Sequence, residues 1–487
     1  MTVEVAEKQP LVTATEFRDA VEERRRVRHE ADVVIVGAGI LGCALAVALG
    51  RQGRSVLLLE RSLKEPDRIV GELLQPGGVK ALEQLGLSDC LEDIDSIRVK
   101  GYDVIYYGEQ VPIPYPKTDG PSSPAPEGRS FHHGRFVMKL RAAAMAEPNV
   151  TVVETTATSL ITSPDTNQVI GVECASNGSK EGEKDCYYGH LTVAADGYAS
   201  KLRKEHHPYT PKVKSKFWGL ELIDAELPMP YHGHVVLGDG PPVLLYQIGT
   251  HETRVLVDIP ENLPSASVKN GGVKGHLRNN VLPSLPKCVQ PSFLAAIENG
   301  KLRSMPNSFL PPATNKTPGL IILGDALNMR HPLTGGGMTV AFNDVVVIRD
   351  LLSPEKVPDL ADTKKVLKQM STFHWQRKSF SSVINILAQA LYSLFAADDE
   401  RLKTLQRGCF RYFQLGLIDG PIGLLAGLIR RPFVLFWHFF SVAFLSIWLL
   451  ISEEPLYKLP VTLAHSLAVF WTSCVVIFPY IFAEMKS

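Results

Sequence analysis

The sequence predicts an α/β fold in which a Rossmann-like nucleotide-binding domain is joined to an antiparallel-sheet domain and to a C-terminal helical region that anchors in a membrane. Three observations predict this fold. A strand pattern at 31–36 runs directly into a glycine-rich helix start. Short apolar runs alternate with turns from 217 to 259, and two long runs without Asp, Glu, Lys or Arg lie at 433–451 and 461–482.

The composition of the 487-residue chain limits the functions it can have. The 51 Lys and Arg residues are balanced by 51 Asp and Glu, which argues against a nucleic-acid partner because phosphate binding needs clustered, uncompensated cations. The length predicts two or three domains at about 150 residues per domain. The 7 scattered cysteines argue against a disulfide framework or structural zinc, and they fit a reducing, cytosol-facing compartment.

The first structural unit is a compact βαβ motif. Residues 31–36 (ADVVIV) predict a strand, 41–49 a helix and 55–60 (SVLLLE) a second strand. The first 30 residues lack the apolar run of a signal peptide and predict a solvated polar tail.

Glycines at the start of the predicted helix indicate a nucleotide site. Gly37, Gly39 and Gly42 form GxGxxG directly after the first strand, where backbone N–H groups and the helix dipole can approach a pyrophosphate. Glu60 ends the second strand, where a carboxylate can accept hydrogen bonds from an adenosine ribose. Together these features predict a bound adenine dinucleotide.

The middle of the chain predicts strands and one extended connection. Residues 108–128 are rich in proline, so they are predicted to be extended rather than a helix or a central strand. Strands are predicted at 150–160, 169–174 and 191–193, and the runs from 217 to 259 are interpreted as the antiparallel sheet of the second domain.

A second motif favours FAD over a nicotinamide dinucleotide. Gly324 and Asp325 follow a predicted buried strand at 320–323, and in hydroxylase-type flavoproteins an Asp so placed binds the flavin ribityl chain. Gly335 to Gly337 then lead into a helix predicted at 338–352. The N-terminus of that helix would suit the negative charge of a reduced isoalloxazine ring.

The two C-terminal runs favour a membrane over a protein core. They hold 19 and 22 residues without Asp, Glu, Lys or Arg, and at about 1.5 Å per residue each could cross roughly 30 Å of hydrocarbon. Core helices are the alternative, but two such runs in series, rich in Phe and Trp, favour a membrane. They either span it or insert in one leaflet, and Arg430 and Arg431 would hold the first run's start in the cytoplasm.

Three unusual segments resemble the squalene epoxidase, or squalene monooxygenase, family. They are 68–78 (RIVGELLQPGG), 131–141 (FHHGRFVMKLR) and 324–342 (GDALNMRHPLTGGGMTVAF). The resemblance continues through 302–312, 385–395 and the tail, and it covers the chain from about residue 31 to the end. Only about 30 residues precede the first strand, which resembles the shorter fungal form and departs from the longer animal form.

The resemblance implies an FAD-dependent monooxygenase of the GR2, or aromatic-hydroxylase, flavoprotein type. Such an enzyme converts squalene and O₂ to (S)-2,3-epoxysqualene in ergosterol-type sterol biosynthesis, through a C4a-hydroperoxide of reduced flavin, and is a target of allylamines. NADPH would supply electrons indirectly, through NADPH-cytochrome P-450 reductase. The expected location is the endoplasmic reticulum membrane, with a cytosol-facing catalytic body, or lipid droplets.

The motifs and the resemblance together assign site residues. Tyr102, with Gln75 as its hydrogen-bond partner, is the catalytic candidate and would position the flavin or the epoxidation site. The cofactor-binding candidates are Gly37, Gly39, Ile40, Leu41, Gly42, Glu60, Arg61, Arg68, Arg141, Ala157, Asp325, Gly337 and Met338. The substrate and inhibitor pocket candidates are Leu391, Phe395, Phe410, Phe413, Pro421, Leu424 and His438.

A pocket for a C30 hydrocarbon would rely on apolar burial, at roughly 25 cal/mol per Å². If it opened toward the bilayer, it would admit squalene directly from lipid. No metal is expected, because the histidines adjoin no carboxylates at ligand spacing.

The predicted domain organisation is discontinuous. It comprises a polar tail (1–30), an FAD-binding domain (31–100, 130–200 and 315–362), a substrate domain (101–129 and 205–314), a helical region (363–432) and membrane helices (433–487). Two alternative functions stay open. One is another membrane-bound flavoprotein of the same fold, such as an aromatic hydroxylase or a prenyl-chain reductase, and the other is a membrane-tethered flavin-binding protein without catalysis.

Overall fold

A computed structural model of the chain describes residues 29–117, 120, 122–176 and 184–486, together with Glu23 and Val27. The predicted polar tail at 1–30 therefore lies almost wholly outside the described residues. The strands are β1 (Glu30–Val36), β2 (Val56–Glu60), β3 (Leu73–Leu74), β4 (Ile97–Val99), β5 (Gly101–Tyr106), β6 (Glu109–Pro114), β7 (Gly128–Ser130), β8 (Val150–Thr162), β9 (Val169–Ser176), β10 (Asp185–Ala194), β11 (Lys212–Ile223), β12 (His232–Leu237), β13 (Val243–Gln247), β14 (Glu252–Pro260), β15 (Arg303–Phe309) and β16 (Leu320–Ile322).

The α-helices follow the same chain order. They are α1 (Ile40–Gly50), α2 (Pro76–Gln84), α3 (His133–Ala146), α4 (Gly272–His276), α5 (Gln290–Asn299), α6 (Gly337–Leu351), α7 (Thr363–Phe395), α8 (Glu400–Gln414), α9 (Asp419–Leu425), α10 (Pro432–Glu453) and α11 (Leu459–Met485). Short 3-10 turns connect several of them.

A first sheet carries the βαβ motif. Its parallel strands lie side by side in the order β8-β2-β1-β10-β16, and helices cover it because strands of this kind are apolar on both faces. Helix α1 is buried from Leu41 to Gly50. Strand β9 pairs antiparallel with both β8 and β10, so the strands predicted at 150–160, 169–174 and 191–193 all belong to this sheet.

A second sheet has seven strands in the order β15-β11-β14-β13-β12-β5-β6. Its pairings are antiparallel except for β12 with β5. The proline-rich segment predicted as an extended connection begins with edge strand β6, where Pro112 and Pro114 are tolerated because an edge strand can lack some N–H donors. The small sheet β3-β7-β4 completes the fold.

The C-terminal third is helical. Helices α7 and α8 meet at a bend of 113°. Among the described helices, α10 and α11 are each long and apolar enough to cross a membrane. Their outward faces expose large apolar side chains, including Phe433 (88%), Trp437 (71%), Trp448 (68%) and Trp471 (68%).

Candidate active site

A cleft lies where three neighbouring parallel strands end. Gly39 follows β1, Ala195 follows β10, and Gly324 and Asp325 follow β16, and all four line the cleft. The opposite wall comes from the seven-stranded sheet, through residues such as Tyr102. Ligands of open α/β sheets bind at this edge, beyond the carboxyl ends of the strands.

The three motif glycines have different physical roles. Gly37 has a φ of 106°, and a Cβ there would lie 2.5 Å from the Ala195 carbonyl oxygen. A Cβ on Gly42 would lie 1.9 Å from the Gly37 carbonyl oxygen, so this position must stay bare for α1 to pack. A Cβ on Gly39 would meet nothing within 4 Å and would stand in the cleft instead. The turn therefore fits a pyrophosphate at the start of α1.

Glu60 is tied to this turn. Its Oε2 accepts a hydrogen bond from the Ala38 backbone N–H at 2.8 Å. The guanidinium of Arg141 lies 3.6 Å from the same oxygen, and its Nε donates to the Ala38 carbonyl at 2.9 Å. Arg141 is buried. The acid and the cation thus hold the glycine turn in place.

Asp325 stands on a backbone bend. Gly324 before it has a φ of 64°, and Arg203 donates to the Asp325 carbonyl at 3.3 Å. Burial lowers the pKa of Arg203, partly offset by Asp196 and Asp325. Burial also raises the pKa of Asp196. Because Arg203 also contacts the Gly197 carbonyl, it joins the segments that follow β10 and β16.

The second glycine run starts α6 at the cleft. Gly335 has a φ of 62°, which reverses the chain before the helix. A Cβ on Gly337 would meet nothing within 4 Å, and both Gly337 and Met338 line the cleft. The first N–H groups of a helix have no partner within the helix, so this helix start suits an electron-rich ring edge in the cleft.

Tyr102 and Gln75 form a buried hydrogen-bond pair. Gln75 Nε2 donates to Tyr102 Oη at 2.5 Å and to the Thr334 carbonyl at 2.8 Å. Tyr115 Oη donates to Gln75 Oε1 at 2.8 Å. Burial raises the pKa of Tyr102 to about 12, so the phenol stays protonated at neutral pH. Because Tyr102 Oη accepts from Gln75, its own proton is free to point to Tyr115 or into the cleft.

A buried ion pair on the cleft wall was not predicted from the sequence. Arg254 donates from Nε and Nη2 to the two carboxylate oxygens of Glu72, each at 2.9 Å. Tyr246 Oη donates to the same carboxylate at 3.3 Å. Glu72 raises the pKa of Arg254, against the effect of burial, so the guanidinium remains charged. No local spacing could have found this pair, because 182 residues separate its partners.

His133 also lines the cleft and is held neutral. Its Nδ1 lies 2.9 Å from the Gly71 carbonyl. Burial, reinforced by Arg68 and Arg141, lowers its pKa to about 4. A neutral Nδ1–H donor is the form that this contact requires. Among the described residues, no group of three or more His, Cys, Asp and Glu side chains could hold a metal ion.

The structure brings most of the predicted cofactor residues to one place. Those that line the cleft are Gly39, Ile40, Leu41, Arg68, Asp325, Gly337 and Met338. Gly37 and Gly42 shape the turn, while Glu60 and Arg141 hold it. Arg61 is exposed just after β2. Ala157 lies on β8 opposite Cys174, outside the cleft lining.

The seven predicted pocket residues lie behind the cleft rather than on its wall. None of Leu391, Phe395, Phe410, Phe413, Pro421, Leu424 and His438 lines it. Leu391, Phe395, Phe410 and Phe413 pack instead in one apolar cluster with Tyr102 and Tyr115, between the seven-stranded sheet and helices α7 and α8. Leu424 is buried in the adjoining cluster, and Pro421 and His438 are half-buried. Tyr102 therefore belongs both to the cleft wall and to this apolar cluster.

The fold is that of FAD-dependent monooxygenases. PqsL of Pseudomonas aeruginosa, titled a probable FAD-dependent monooxygenase, aligns at a TM-score of 0.63 and 20% identity, covering 76% of this chain and 97% of its own. The p-nitrophenol 4-monooxygenase PnpA of Pseudomonas putida aligns at 0.63 and 18%, covering 84% and 97%. Residues 30–224 match the FAD binding domain family. The predicted fold class and the predicted cofactor, FAD, are thus confirmed.

Sequence comparisons identify the family within this fold. Residues 188–464, more than half of the chain, match the Squalene epoxidase family. The chain is 74% identical over 466 residues to the squalene epoxidase erg1 of Aspergillus fumigatus, covering 96% of both chains. It is 45% identical over 460 residues to the squalene monooxygenase of Mus musculus, covering 93% of this chain and 78% of that one. The chain belongs to the squalene epoxidase family.

Proposed function

We propose that the protein is an FAD-dependent squalene monooxygenase that inserts one oxygen atom of O₂ into squalene to give (S)-2,3-epoxysqualene for sterol biosynthesis. The observation that carries the proposal is the 74% identity to a squalene epoxidase over 96% of both chains. The cleft adds physical support, because the glycine turn of a dinucleotide site lies on one of its walls, and side chains of the apolar cluster, Tyr102 among them, lie on another.

The residues of the cleft would hold the cofactor at both ends. The turn at Gly39 would take the pyrophosphate, Glu60 the adenosine ribose and Asp325 the ribityl chain. The start of α6 at Gly337 would face the ring. Bound FAD would supply the activation of O₂, which is the chemistry that no side chain here provides.

The protein's own task is positioning and exclusion of water. Buried Leu73, Leu244, Leu256 and Leu333 line the cleft around Tyr102. An apolar wall of this kind keeps water from the reacting centre. Tyr102, fixed by Gln75, would set the distance between the ring and one terminal double bond of the substrate.

The substrate would lie in the apolar cluster behind Tyr102. A hydrocarbon forms no hydrogen bonds, so its binding depends on contact with side chains such as Phe395 and Phe410. These rings fill the space in the structure, and Phe410 packs on Tyr106 at 4.9 Å between ring centroids. Entry of squalene would require α7 to α9 to separate from the sheet. We propose this apolar cluster as the substrate pocket, and we likewise propose the domain limits that were predicted from the sequence.

We further propose that electrons come from NADPH through NADPH-cytochrome P-450 reductase. Stopped-flow flavin reduction tests this separately from epoxidation. Reduction of bound FAD should be slow with NADPH alone and rapid once the reductase is added. Rapid reduction by NADPH alone would favour an aromatic-hydroxylase type of enzyme instead.

The proposed location is the endoplasmic reticulum membrane, with α10 and α11 in the bilayer and the catalytic body facing the cytosol. Their exposed Phe and Trp residues support it. Replacing Trp437, Trp448 and Trp471 together by Glu should move the FAD-loaded protein from the membrane pellet to the supernatant. Replacing three exposed, charged residues of the body, Lys212, Glu226 and Lys269, by Ser is the matched control and should leave it in the pellet. Retention of the triple Trp variant would place the anchor elsewhere.

A further inference from the structure

The end of the last helix docks on the catalytic body. Lys214 donates to Tyr480 Oη at 2.7 Å, and Lys378 donates to the Lys486 carbonyl at 3.0 Å. In the last turn of α11, the Glu484 side chain turns inward and is 6% exposed. A carboxylate this deeply buried at the end of an apolar helix needs a partner on the body.

That partner is an amide relay that leads to the cofactor cleft. Asn385 Nδ2, on α7, donates to Glu484 Oε1 at 2.7 Å and to Asn328 Oδ1 at 2.9 Å. Asn328 Nδ2 donates to the Leu310 carbonyl at 2.8 Å, which fixes the orientation of its amide. Asn328 Oδ1 also accepts from Arg330 Nη2 at 2.8 Å.

Arg330 is the cleft end of the relay. It lines the cleft, is 8% exposed, and its Nη1 lies 3.5 Å from the Gly337 carbonyl at the start of α6. Beside it, Arg377 makes a bidentate ion pair with Asp344, with both contacts at 2.9 Å. Asp344 also lines the cleft. The two networks meet because Arg377 Nη2 lies 3.5 Å from Asn328 Oδ1.

The charges of this region balance only when the last helix is included. Arg330, Arg377 and the half-buried Lys378 are the three cations of this region, and its three acids are Asp325, Asp344 and, from the last helix, Glu484. Asp344 forms an ion pair with Arg377, and Asp325 interacts with Arg330 in the cleft. Glu484 is the acid that remains for Lys378. Unbalanced buried charge is costly.

We propose that Glu484 is a positioning residue of the cofactor site: through Asn385 and Asn328 it fixes Arg330 and the start of α6, and it supplies a third negative charge in addition to those of Asp325 and Asp344. The helix pair that contacts the membrane would then also complete the flavin site. The inference rests on the proposed binding of FAD in the cleft, and it is independent of the substrate.

Loss of this charge has a predictable electrical effect. Without Glu484 the region gains one net positive charge near the flavin, and this favours the reduced, more negative ring. The ratio of reduced to oxidised flavin at a fixed solution potential should rise about tenfold. For a two-electron couple this corresponds to a midpoint potential about 30 mV higher. A role in folding alone would leave the potential of correctly folded, FAD-loaded protein unchanged.

The test compares three variants of the full-length, FAD-loaded protein in detergent. Glu484→Gln should raise the flavin midpoint potential and the dissociation constant for FAD. Asn385→Ala removes the relay but no charge, so it should raise the dissociation constant and leave the potential near that of wild type. Glu454→Gln is the matched control, because it removes a carboxylate from the loop that precedes α11, where Glu454 forms a surface ion pair with Lys458. It should change neither quantity.

An unshifted potential in Glu484→Gln, or an equal shift in Glu454→Gln, would overturn the inference. Should Glu484→Gln not fold, Glu484→Asp keeps the charge on a shorter side chain. It should then weaken FAD binding without moving the potential, and wild-type FAD affinity in Glu484→Asp and Asn385→Ala would count against the relay. Failure of the wild-type protein to bind FAD would instead refute the proposed function.

Discussion

Gln75 Nε2 donates a hydrogen bond to Tyr102 Oη over 2.5 Å, and the direction of this bond is determined by a third group. Nε2 also contacts the Thr334 carbonyl, which can only accept, so the amide cannot be turned around. Tyr102 is therefore held as a hydrogen-bond acceptor from Gln75, with its own proton directed elsewhere.

The Tyr102→Phe variant should lower epoxide turnover by about tenfold or more while retaining FAD. The phenol oxygen is lost and Gln75 Nε2 loses one of its two acceptors, which costs about 1–3 kcal/mol for a buried group. Tyr115→Phe is the matched control, because Tyr115 bonds the same amide but does not line the cleft. Flavin absorbance and steady-state kinetics measure both effects. Wild-type turnover in Tyr102→Phe would remove this residue from the site.

The Gly39→Val variant should fold but bind FAD at least about tenfold more weakly, a cost of about 1.4 kcal/mol. A side chain at Gly39 meets no protein atom within 4 Å and would occupy the cleft. Gly42→Ala should instead fail to fold, because its Cβ would lie 1.9 Å from a backbone oxygen. Melting of the apoprotein and titration with FAD separate the two outcomes. Normal FAD affinity in Gly39→Val would place the pyrophosphate elsewhere.

The Arg254→Met variant should be strongly destabilised, by about 3–5 kcal/mol, because it leaves the buried Glu72 carboxylate unpaired. The double variant Glu72→Gln with Arg254→Met should recover much of this loss, since it removes both charges. The measurement is the free energy of unfolding from denaturant titration. If the double variant were as unstable as the single one, the ion pair would not be the cause.

His133 should make stability fall as the solution is acidified. Its pKa is about 4 in the folded protein, against roughly 6.5 in the unfolded chain. Between these values the unfolded chain binds the extra proton, so stability is full above about pH 6.5 and decreases toward pH 4, with about 2 kcal/mol lost at pH 5. His133→Asn keeps a donor for the Gly71 carbonyl but cannot titrate. Its melting temperature should fall less between pH 7 and pH 5, and an equal fall would contradict the assignment.

Local pattern predicted the first part of the fold closely. The strand predicted at 31–36 is β1 (Glu30–Val36), and the helix predicted at 41–49 is α1 (Ile40–Gly50). Alternation of strand and helix formers around GxGxxG is a short-range signal, and no distant contact overrides it. The second glycine run could be placed for the same reason.

Contacts between residues that are far apart in the chain could not be predicted from the sequence. Glu72 and Arg254 meet across 182 residues, and Asn385 and Glu484 across 99. Tyr115 lies in the proline-rich segment, whose course depends on the sheet edge that it joins. The pocket candidates on α7 to α10 could be recognised by type. Their position behind Tyr102 depends on how four helices pack against a sheet, and periodicity does not determine that.

Oxygen transfer to squalene is the measurement that tests the proposed function most directly. Purified, FAD-loaded protein is mixed with squalene, NADPH, NADPH-cytochrome P-450 reductase and ¹⁸O₂, and the products are analysed by mass spectrometry. We expect 2,3-epoxysqualene carrying one ¹⁸O atom, formed only when FAD and the reductase are both present. Absence of the epoxide from fully FAD-loaded protein whose flavin the reductase reduces, or oxygen derived from water, would contradict it.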